Sequence, residues 1–566
     1  MNFYQELFAE LQKKQFNALA LTKLKRNLAL KHQLETIPSN IDVLLHAEIK
    51  DIPFLKKKLI TKPVRTISGV SPVAIMTRPD KCPHGKCTFC PGGLNSPWGD
   101  VPQSYTGHEP ATMRGMRNNY DSYLQVMNRL EQYVLLGHTF DKIEIIVMGG
   151  TFTATEKSYQ EEFILGCFRA MNDFSALFFE KNGEFNFVTF KEFFQLPGGL
   201  HDEQRINNIK EKLLLFKQRK QTTLQAEQLI NETASIRCVA LCIETKPDWG
   251  FLEQGNEMLR QGCTRVELGI ESVYDDVLKE VHRGHTTTDS IKSIQILRDL
   301  GFKINFHYMP GLPLTDRERD IAGMRQLYDD PSYRPDMIKF YPTMVAPGTA
   351  LLQQWKQGKF IPIDTEEAAQ RLVEIKKIVP EYCRIQRIQR DVPTKYWEAG
   401  VGLTNFRQYI HEKYEVHCRC IRCREPKGKD VDWQNIQLKV TEYAASAGTE
   451  FFIAAEDPKN DLLLGFCRLR FPSQFLRSEI TPSSALIREL HVYGTATAIG
   501  DEGLVQHKGW GTKLIKKAEE IAREHDKNKM VVIAGVGVRQ YYQDKLGYHK
   551  EGPYVVKEIV NDGNNI

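Results

Sequence analysis

Three cysteines stand in the run Cys82-Pro-His-Gly-Lys-Cys87-Thr-Phe-Cys90-Pro-Gly-Gly. Three thiolates in one short loop suit three irons of a four-iron, four-sulfur cluster. The fourth iron then lacks a protein ligand and can take a substrate, whereas clusters built for electron transfer ordinarily use four cysteines. The chemistry implied is reaction at the open iron, most commonly reductive cleavage of S-adenosylmethionine. A zinc site with His84 as fourth ligand is the competing reading, although a zinc knuckle has no need of the Pro-Gly-Gly that follows. A second group, Cys418-Arg-Cys420-Ile-Arg-Cys423 with Cys383 upstream, offers the donors of a closed structural zinc site. His417 and His411 compete with Cys383 for the fourth place, and a second iron–sulfur cluster is the alternative.

Other residues could hold organic ligands. Gly149 and Gly150 end an apolar run, where missing side chains let a ligand approach backbone amides; an ordinary turn is the plainer reading. Glu244, Glu267 and Glu271 close two further apolar runs. Such carboxylates can accept from a ribose or an amino group, or form salt bridges at the rim. Near the C-terminus, Gln506-His-Lys-Gly509-Trp510-Gly511-Thr512 opens a helical stretch, 513–524. A glycine turn at a helix start presents free amides and the positive end of the helix dipole to a pyrophosphate. A strand-like segment containing Glu489 precedes it, and a second strand (530–534) and Arg539-Gln-Tyr541-Tyr542 follow.

The elements that must position these groups show in the patterning. Apolar, β-branched runs at 73–76, 143–148, 239–243, 265–270, 303–309 and 337–341 alternate with helical stretches such as 120–136 and 286–300. Strand-then-helix order implies a parallel sheet, here a full or partial β/α barrel, whose site lies in the loops after the strands. The cysteine loop follows the first strand. Between 178 and 237 the rhythm breaks: seven phenylalanines by residue 194, then a Lys/Glu/Gln-rich stretch, read as an insertion without assigned chemistry. The expected organisation is a basic N-terminal segment (1–70), the barrel (71–380), a zinc-binding linker (381–430) and a final α+β domain (431–566).

The 566 residues are 41% hydrophobic and 26% charged, a soluble globular composition. No leader pattern and no apolar run of membrane-spanning length stands out, and the 12 cysteines are clustered for metal ligation, so a cytoplasmic protein is expected. Residues 1–70 hold 12 Lys or Arg against 6 acids, and Phe3, Leu7 and Leu11 recur at helical spacing. The segment reads as a polyanion grip or a solvated helical face.

Together these strings resemble a known family. The order from Glu489 to Tyr542 is similar to the acetyl-coenzyme A fold of the GNAT acetyltransferases. A radical S-adenosylmethionine barrel fused to such a domain resembles the catalytic subunit of Elongator, in its archaeal or bacterial stand-alone form. The resemblance runs over most of 60–558. It rests on 82–93, Gln103-Ser-Tyr-Thr-Gly-His-Glu-Pro110, 147–152, Arg283-Gly-His-Thr286, Met309-Pro-Gly-Leu-Pro313, 340–342, Arg387-Ile-Gln-Arg-Asp-Val-Pro393 and 488–494. One departure is the four-residue first gap of the cysteine loop, where most radical enzymes of this kind have three. The resemblance implies an enzyme that installs a carboxymethyl group on carbon five of the tRNA wobble uridine, held through the anticodon stem-loop. Cys82, Cys87 and Cys90 would carry the [4Fe-4S] cluster, and Gly149, Gly150 and Glu244 would contact S-adenosylmethionine. Lys142, Glu489, Leu490, His491, Val492, Trp510, Gly511, Thr512 and Tyr542 would contact acetyl-coenzyme A, with Lys142, Glu489 and Tyr542 catalytic. Cys383, Cys418, Cys420 and Cys423 would hold zinc. An electron donor for the cluster is implied, with the chain acting alone or as a homodimer. The competing functions are a protein lysine acetyltransferase with a structural cluster, and a scaffold without catalysis.

Overall fold

The computed structural model describes residues 2–48, 51–59, 69–198, 202–219, 221–493 and 509–559. Four helices (Phe3–Lys13, Ala18–Lys31, Asn40–Leu45, Ile52–Leu59) come first. The Asn2 side chain caps the first of them, and Phe3, Leu7 and Leu11 all turn into the core.

The first sheet is the barrel. Its strands are β1 (Ser71–Met76), then, after the short hairpin β2 (Gly93–Ser96) and β3 (Gly99–Val101), β4 (Lys142–Met148), β5 (Arg237–Thr245), β6 (Arg265–Glu271), β7 (Lys303–Tyr308), β8 (Met337–Phe340) and β9 (Arg384–Arg387). The order β1-β4-β5-β6-β7-β8-β9 is parallel throughout, and β1 and β9 are its edges, so the sheet is a half-barrel. Helices Ser122–Leu135, Lys157–Phe178, Leu252–Arg260, Thr287–Asp299, Arg317–Asp329 and Thr365–Ile378 fill the crossovers. Ile143, Ile145 and Val147 are fully buried on one face of β4, whereas β6 is buried along its whole length and still carries Arg265 and Glu267. The sheet runs past residue 380, because β9 lies in the stretch the sequence reading gave to the linker.

The 178–237 stretch folds as helices Phe187–Phe193, Glu203–Gln218 and Leu224–Asn231. Its phenylalanines pack edge-on or tilted against one another and onto Phe174 (Phe174–Phe178 edge-on at 4.7 Å; Phe190–Phe194 tilted at 4.8 Å), a small aromatic core. Arg205 reaches Glu131 of the barrel layer at 2.7 Å, and Lys191 donates to the Leu45 carbonyl of the N-terminal segment at 2.6 Å.

The second sheet is β10 (Gln437–Ala445), β11 (Gly448–Asp457), β12 (Leu462–Phe471), β13 (Ser484–Val492), β14 (Lys529–Val532), β15 (His549–Glu551) and β16 (Tyr554–Glu558), in the order β10-β11-β12-β13-β14-β16-β15. It is antiparallel except at β13/β14, which are parallel and joined through helix Trp510–Glu524. Their ladder stops at Ile487/Val532, while β13 continues to Val492 on β12 alone. The sheet therefore forks beside residues 488–492.

Buried charges fix this domain against the ends where the barrel strands begin. Arg488 donates to both Asp336 oxygens at 2.8 Å and to Glu450 at 2.7 Å, and Arg470 pairs with Asp299 at 2.6 Å. All five are at most 2% exposed. Removing one partner of such a pair costs about 3–5 kcal/mol, because the other is left charged and dry. Gly535 lies so close to β5 that a Cβ would stand 2.0 Å from the Val239 carbonyl oxygen.

Candidate active site

Two candidate sites lie at opposite ends of the barrel strands. At the ends where the strands finish, the cysteine loop follows β1. The Cys82 amide donates to Gln103 Oε1 at 3.0 Å, and Gln103 Nε2 donates back to the Gly85 carbonyl at 3.3 Å. The Ser104 amide points at Cys90 Sγ (3.2 Å), the Arg283 guanidinium at Cys87 Sγ (3.8 Å), and Thr151 Oγ1 lies 3.5 Å from Cys82 Sγ. Cys87 and Cys90 are buried and Cys82 is partly open. Burial pushes the Cys87 thiol up to about 11, against the pull of Arg283.

This donor set fits a cluster better than a single ion. A tetrahedral zinc at ~2.3 Å from each sulfur draws its ligands to within ~4 Å of one another. No three of Cys82, Cys87, Cys90 and His84 gather within 4.8 Å, whereas Cys418, Cys420 and Cys423 do. N–H donors and a guanidinium aimed at the sulfurs suit the negative charge of an iron–sulfur core.

Gly149 and Gly150 wrap the same loop. Both have positive φ (+132° and +88°); a Cβ on Gly149 would stand 2.0 Å from Thr77 Oγ1, and one on Gly150 3.8 Å from Cys82 Sγ. Only glycine fits at 149. Arg283 ties the loop to β6, donating to the Gly269 carbonyl at 2.8 Å and lying 3.5 Å from Glu271.

Below the loop, the inner face of the barrel carries linked charges. Glu244 accepts from Tyr105 Oη at 2.7 Å, and Tyr105 follows the Ser104 that faces Cys90. Lys339 Nζ lies 3.7 Å from Glu244 and is hydrogen-bonded to Glu267. Glu267 also accepts from His307 Nε2 (2.9 Å) and lies 3.3 Å from Arg265. Burial works against the Glu267 carboxylate, but Lys339, His307 and Arg265 hold it well below the usual range. Glu244, Glu267 and His307 form a second group of metal-ligating type within 4.8 Å; the Lys339 ammonium already holds the cation position there.

At the other end lies the fork. Leu490, His491 and Val492 on β13 are half-buried beside it, as are Trp510, Gly511 and Thr512 at the helix start. A Cβ on Gly511 would lie 3.9 Å from both Leu490 and Val492, and 3.2 Å from Tyr541 Oη. Glu489 is clamped between Lys303 of β7 and Arg468 Nε (2.9 Å). Burial opposes its charge, yet the two cations hold its carboxyl at about 2. His491 is pushed down to about 4 by burial, and its Nε2 is buried without a partner among the described residues. Tyr542 is buried, edge-on to Tyr541 and Tyr548 at 5.6 Å each. Lys142, half-buried, begins β4 opposite Arg237, the residue against which Gly537 of the second domain packs.

The structure thus places Leu490 and Val492 beside Gly511, and Gly149 and Gly150 against the cysteine loop, with Glu244 joined to that loop through Tyr105. Lys142 stands at the domain boundary, next to the Arg237 that Gly537 packs against. Gln506 to Lys508 lie outside the described residues. Cys383 abuts the second cysteine group, its carbonyl accepting from the Ile421 amide at 3.0 Å, but its sulfur is not within 4.8 Å of all three thiols. His417 turns toward Asp461 (4.0 Å). Sequence reasoning missed Gln103, Thr151, Arg283, His307, Lys339 and Tyr541. For Lys339 the available signal was a charge inside an otherwise apolar strand; Arg265 and Lys303 open their strands and gave no such signal.

Comparison with known proteins agrees with this layout. The chain matches the Radical SAM superfamily over residues 76–324, the Radical_SAM C-terminal domain over 335–415 and the ELP3 N-terminal domain over 1–67. It is 44% identical over 535 residues to a tRNA uridine(34) acetyltransferase of Methanocaldococcus infernus, covering 92% of each chain. It is 38% identical over 575 residues to Elongator complex protein 3 of Schizosaccharomyces pombe, covering 98% of this chain and 97% of that one. The solved structure of archaeal Methanocaldococcus infernus Elp3 lacking its N-terminus superposes with a TM-score of 0.70 at 38% identity, over 87% of this chain and 100% of that one. The chain belongs to the family of Elongator complex protein 3 and the archaeal tRNA uridine(34) acetyltransferases, built on a radical SAM half-barrel.

Proposed function

We propose that the protein modifies the wobble uridine of tRNA, using acetyl-coenzyme A and S-adenosylmethionine to place a carboxymethyl group on carbon five. One observation supports this reading: a continuous run of contacts crosses the barrel sheet from the fork to the cysteine loop. The path runs from Glu489 to Lys303, whose backbone register partner is Arg265, and on through the side chains of Glu267, Lys339, Glu244 and Tyr105 to the adjoining Ser104 amide at Cys90.

Cys82, Cys87 and Cys90 would hold the iron–sulfur cluster, which with S-adenosylmethionine supplies hydrogen-atom abstraction. Gly149 and Gly150 keep backbone rather than side chain against that ligand, and Arg283 balances the sulfur charge. At the fork, the free amides of 510–512 suit the pyrophosphate of acetyl-coenzyme A. The edge of β13 past Ile487, unpaired among the described residues, suits the amides of its pantetheine arm. Lys142 would reach the coenzyme from the barrel, and Tyr542 lies in the core behind the fork. Cys418, Cys420 and Cys423 would hold a structural zinc, and Cys383 would complete the set by closing in on them. The anticodon stem-loop offers unstacked bases to such a chamber, and the basic N-terminal segment offers a phosphate grip.

The lysine acetyltransferase alternative needs a proton acceptor for the incoming amine. Glu489, held ionised between two cations, is too weak a base for that role. The test is anaerobic turnover with reductant, S-adenosylmethionine, acetyl-coenzyme A and tRNA. Carboxymethylated wobble uridine should form only when all four are present and vanish in C87S. Acetyl transfer to a protein lysine without S-adenosylmethionine, retained in C87S, would replace this reading by the alternative.

A further inference from the structure

The barrel strands carry a dyad to which none of these assignments gives a chemical role. His307 projects from β7 with Nε2 2.9 Å from Glu267 Oε2. An ionised carboxylate only accepts, so Nε2 carries the hydrogen and the lone pair is left on Nδ1. Among the described residues Nδ1 has no hydrogen-bond partner, and the imidazole keeps 15% of its surface open while Glu267 keeps 1%. Lys339 and Arg265 pin Glu267 from β8 and within β6. Glu244, facing from β5, is committed to Tyr105 and Lys339. The Tyr341 ring lies edge-on to the imidazole at 5.4 Å. A carboxylate behind one ring nitrogen, with the other left unpartnered on a partly open ring, is how proteins build a positioned proton acceptor.

Resting on the function proposed above, we infer that His307, oriented by Glu267, accepts the C5 proton of the uracil. Addition of the acetyl-derived carbon radical to C5 uses one electron of the C5=C6 π bond and leaves the other unpaired at C6. To restore the base, that electron passes to a one-electron acceptor of the iron–sulfur class. The C5–H electron pair becomes the new C5=C6 bond, and the proton goes to Nδ1. The nucleobase is oxidised by one electron and the acceptor reduced by one. Lys339 and Arg265 are positioning residues, keeping Glu267 ionised and the imidazole turned.

The test compares wild type, H307Q and E267Q for 5′-deoxyadenosine and carboxymethyluridine. Positioned acid–base groups contribute ~10²–10⁴-fold, so H307Q should raise the ratio of deoxyadenosine to modified uridine at least ~100-fold. The KM for tRNA should stay within about twofold, and added imidazole should partly restore product. Burial and Lys339 depress the imidazole against the opposing pull of Glu267. The acid limb of the wild-type rate should therefore fall below pH ~6.5 and be missing in H307Q. Nitrogen-15 histidine spectra give a reading independent of turnover: a signal absent from H307Q, titrating below ~6.5 and lower still in E267Q. Product, ratio and profile unchanged in H307Q would overturn the inference. So would a parallel loss of deoxyadenosine and product, which marks a structural role. If the wild type forms no carboxymethyluridine, the parent reading falls and takes this one with it.

Discussion

Glu489→Gln separates a catalytic carboxylate from a clamp between domains. Glu489 is held at about 2 by Lys303 and Arg468 against the cost of burial. The distance from an ordinary ~4.3 corresponds to ~3 kcal/mol favouring the carboxylate. Part of this is offset, because burial lowers the Lys303 ammonium and that lysine can shed its proton when unpaired. Arg468 cannot, but it keeps the Tyr382 carbonyl at 2.6 Å and Asp336 at 3.4 Å. We therefore expect E489Q to cost about 2 kcal/mol at the contact between β7 and β13. The folded carboxyl is depressed, so its contribution is complete above pH ~4.3 and disappears as pH falls through about 2; the loss in E489Q should be constant across neutral pH. Hydrogen exchange at residues 302–306 and 486–492 measures it locally. K303M/E489Q should show a coupling of ~2 kcal/mol against the single variants. Additive effects, or exchange unchanged within ~0.5 kcal/mol, would refute the clamp. A loss of rate with intact exchange would return Glu489 to the reacting groups.

Other outcomes follow from the same geometry. C87S should lose most of the iron bound by the wild type and all deoxyadenosine formation, measured by metal analysis and chromatography, while near-ultraviolet dichroism of the second domain stays unchanged. C420S should drop bound zinc from about one per chain to near none. Arg384 joins Glu425 beside that cysteine group to Tyr493 at the end of β13 (3.2 Å), so calorimetric acetyl-coenzyme A affinity should weaken in the same variant. G149A puts a methyl 2.0 Å from Thr77 Oγ1 at a φ of +132°; a local cost of ~1–3 kcal/mol should appear as a lower melting temperature and weaker S-adenosylmethionine binding. Replacing the exposed Lys13, Lys14, Lys23 and Arg26 by Gln keeps the buried Phe3, Leu7 and Leu11 in place. It should flatten the salt dependence of tRNA binding by up to ~3 in log–log slope.

What the sequence disclosed follows from how local each signal is. The cysteine loop, the two glycines after β4 and the strand–helix alternation are written in contiguous residues, and the structure places the loop directly after β1. Phe3, Leu7 and Leu11 showed a helix face because helical spacing is local. The strand β9 escaped notice because Arg384-Ile-Gln-Arg387 carries one buried apolar residue, and its place in the sheet comes from pairing with β8. The His307–Glu267–Lys339 group is brought together by register across three strands, which no window along the chain contains. The phenylalanines of 178–194 carried no assigned chemistry, and in the structure they pack into an aromatic core. The parallel β13/β14 pair and its fork depend on a connection more than 35 residues long, so only its ends, Glu489 and the glycine turn, could be read.

The most direct test uses acetyl-coenzyme A deuterated in its methyl group, given anaerobically to the reduced enzyme with S-adenosylmethionine and tRNA. Mass spectrometry of the nucleosides and of 5′-deoxyadenosine reads the result. Deuterium in the deoxyadenosine together with a carboxymethylated uridine is the result this account predicts. Free coenzyme A with unlabelled deoxyadenosine and an unmodified base would contradict it and leave ordinary acyl transfer or hydrolysis.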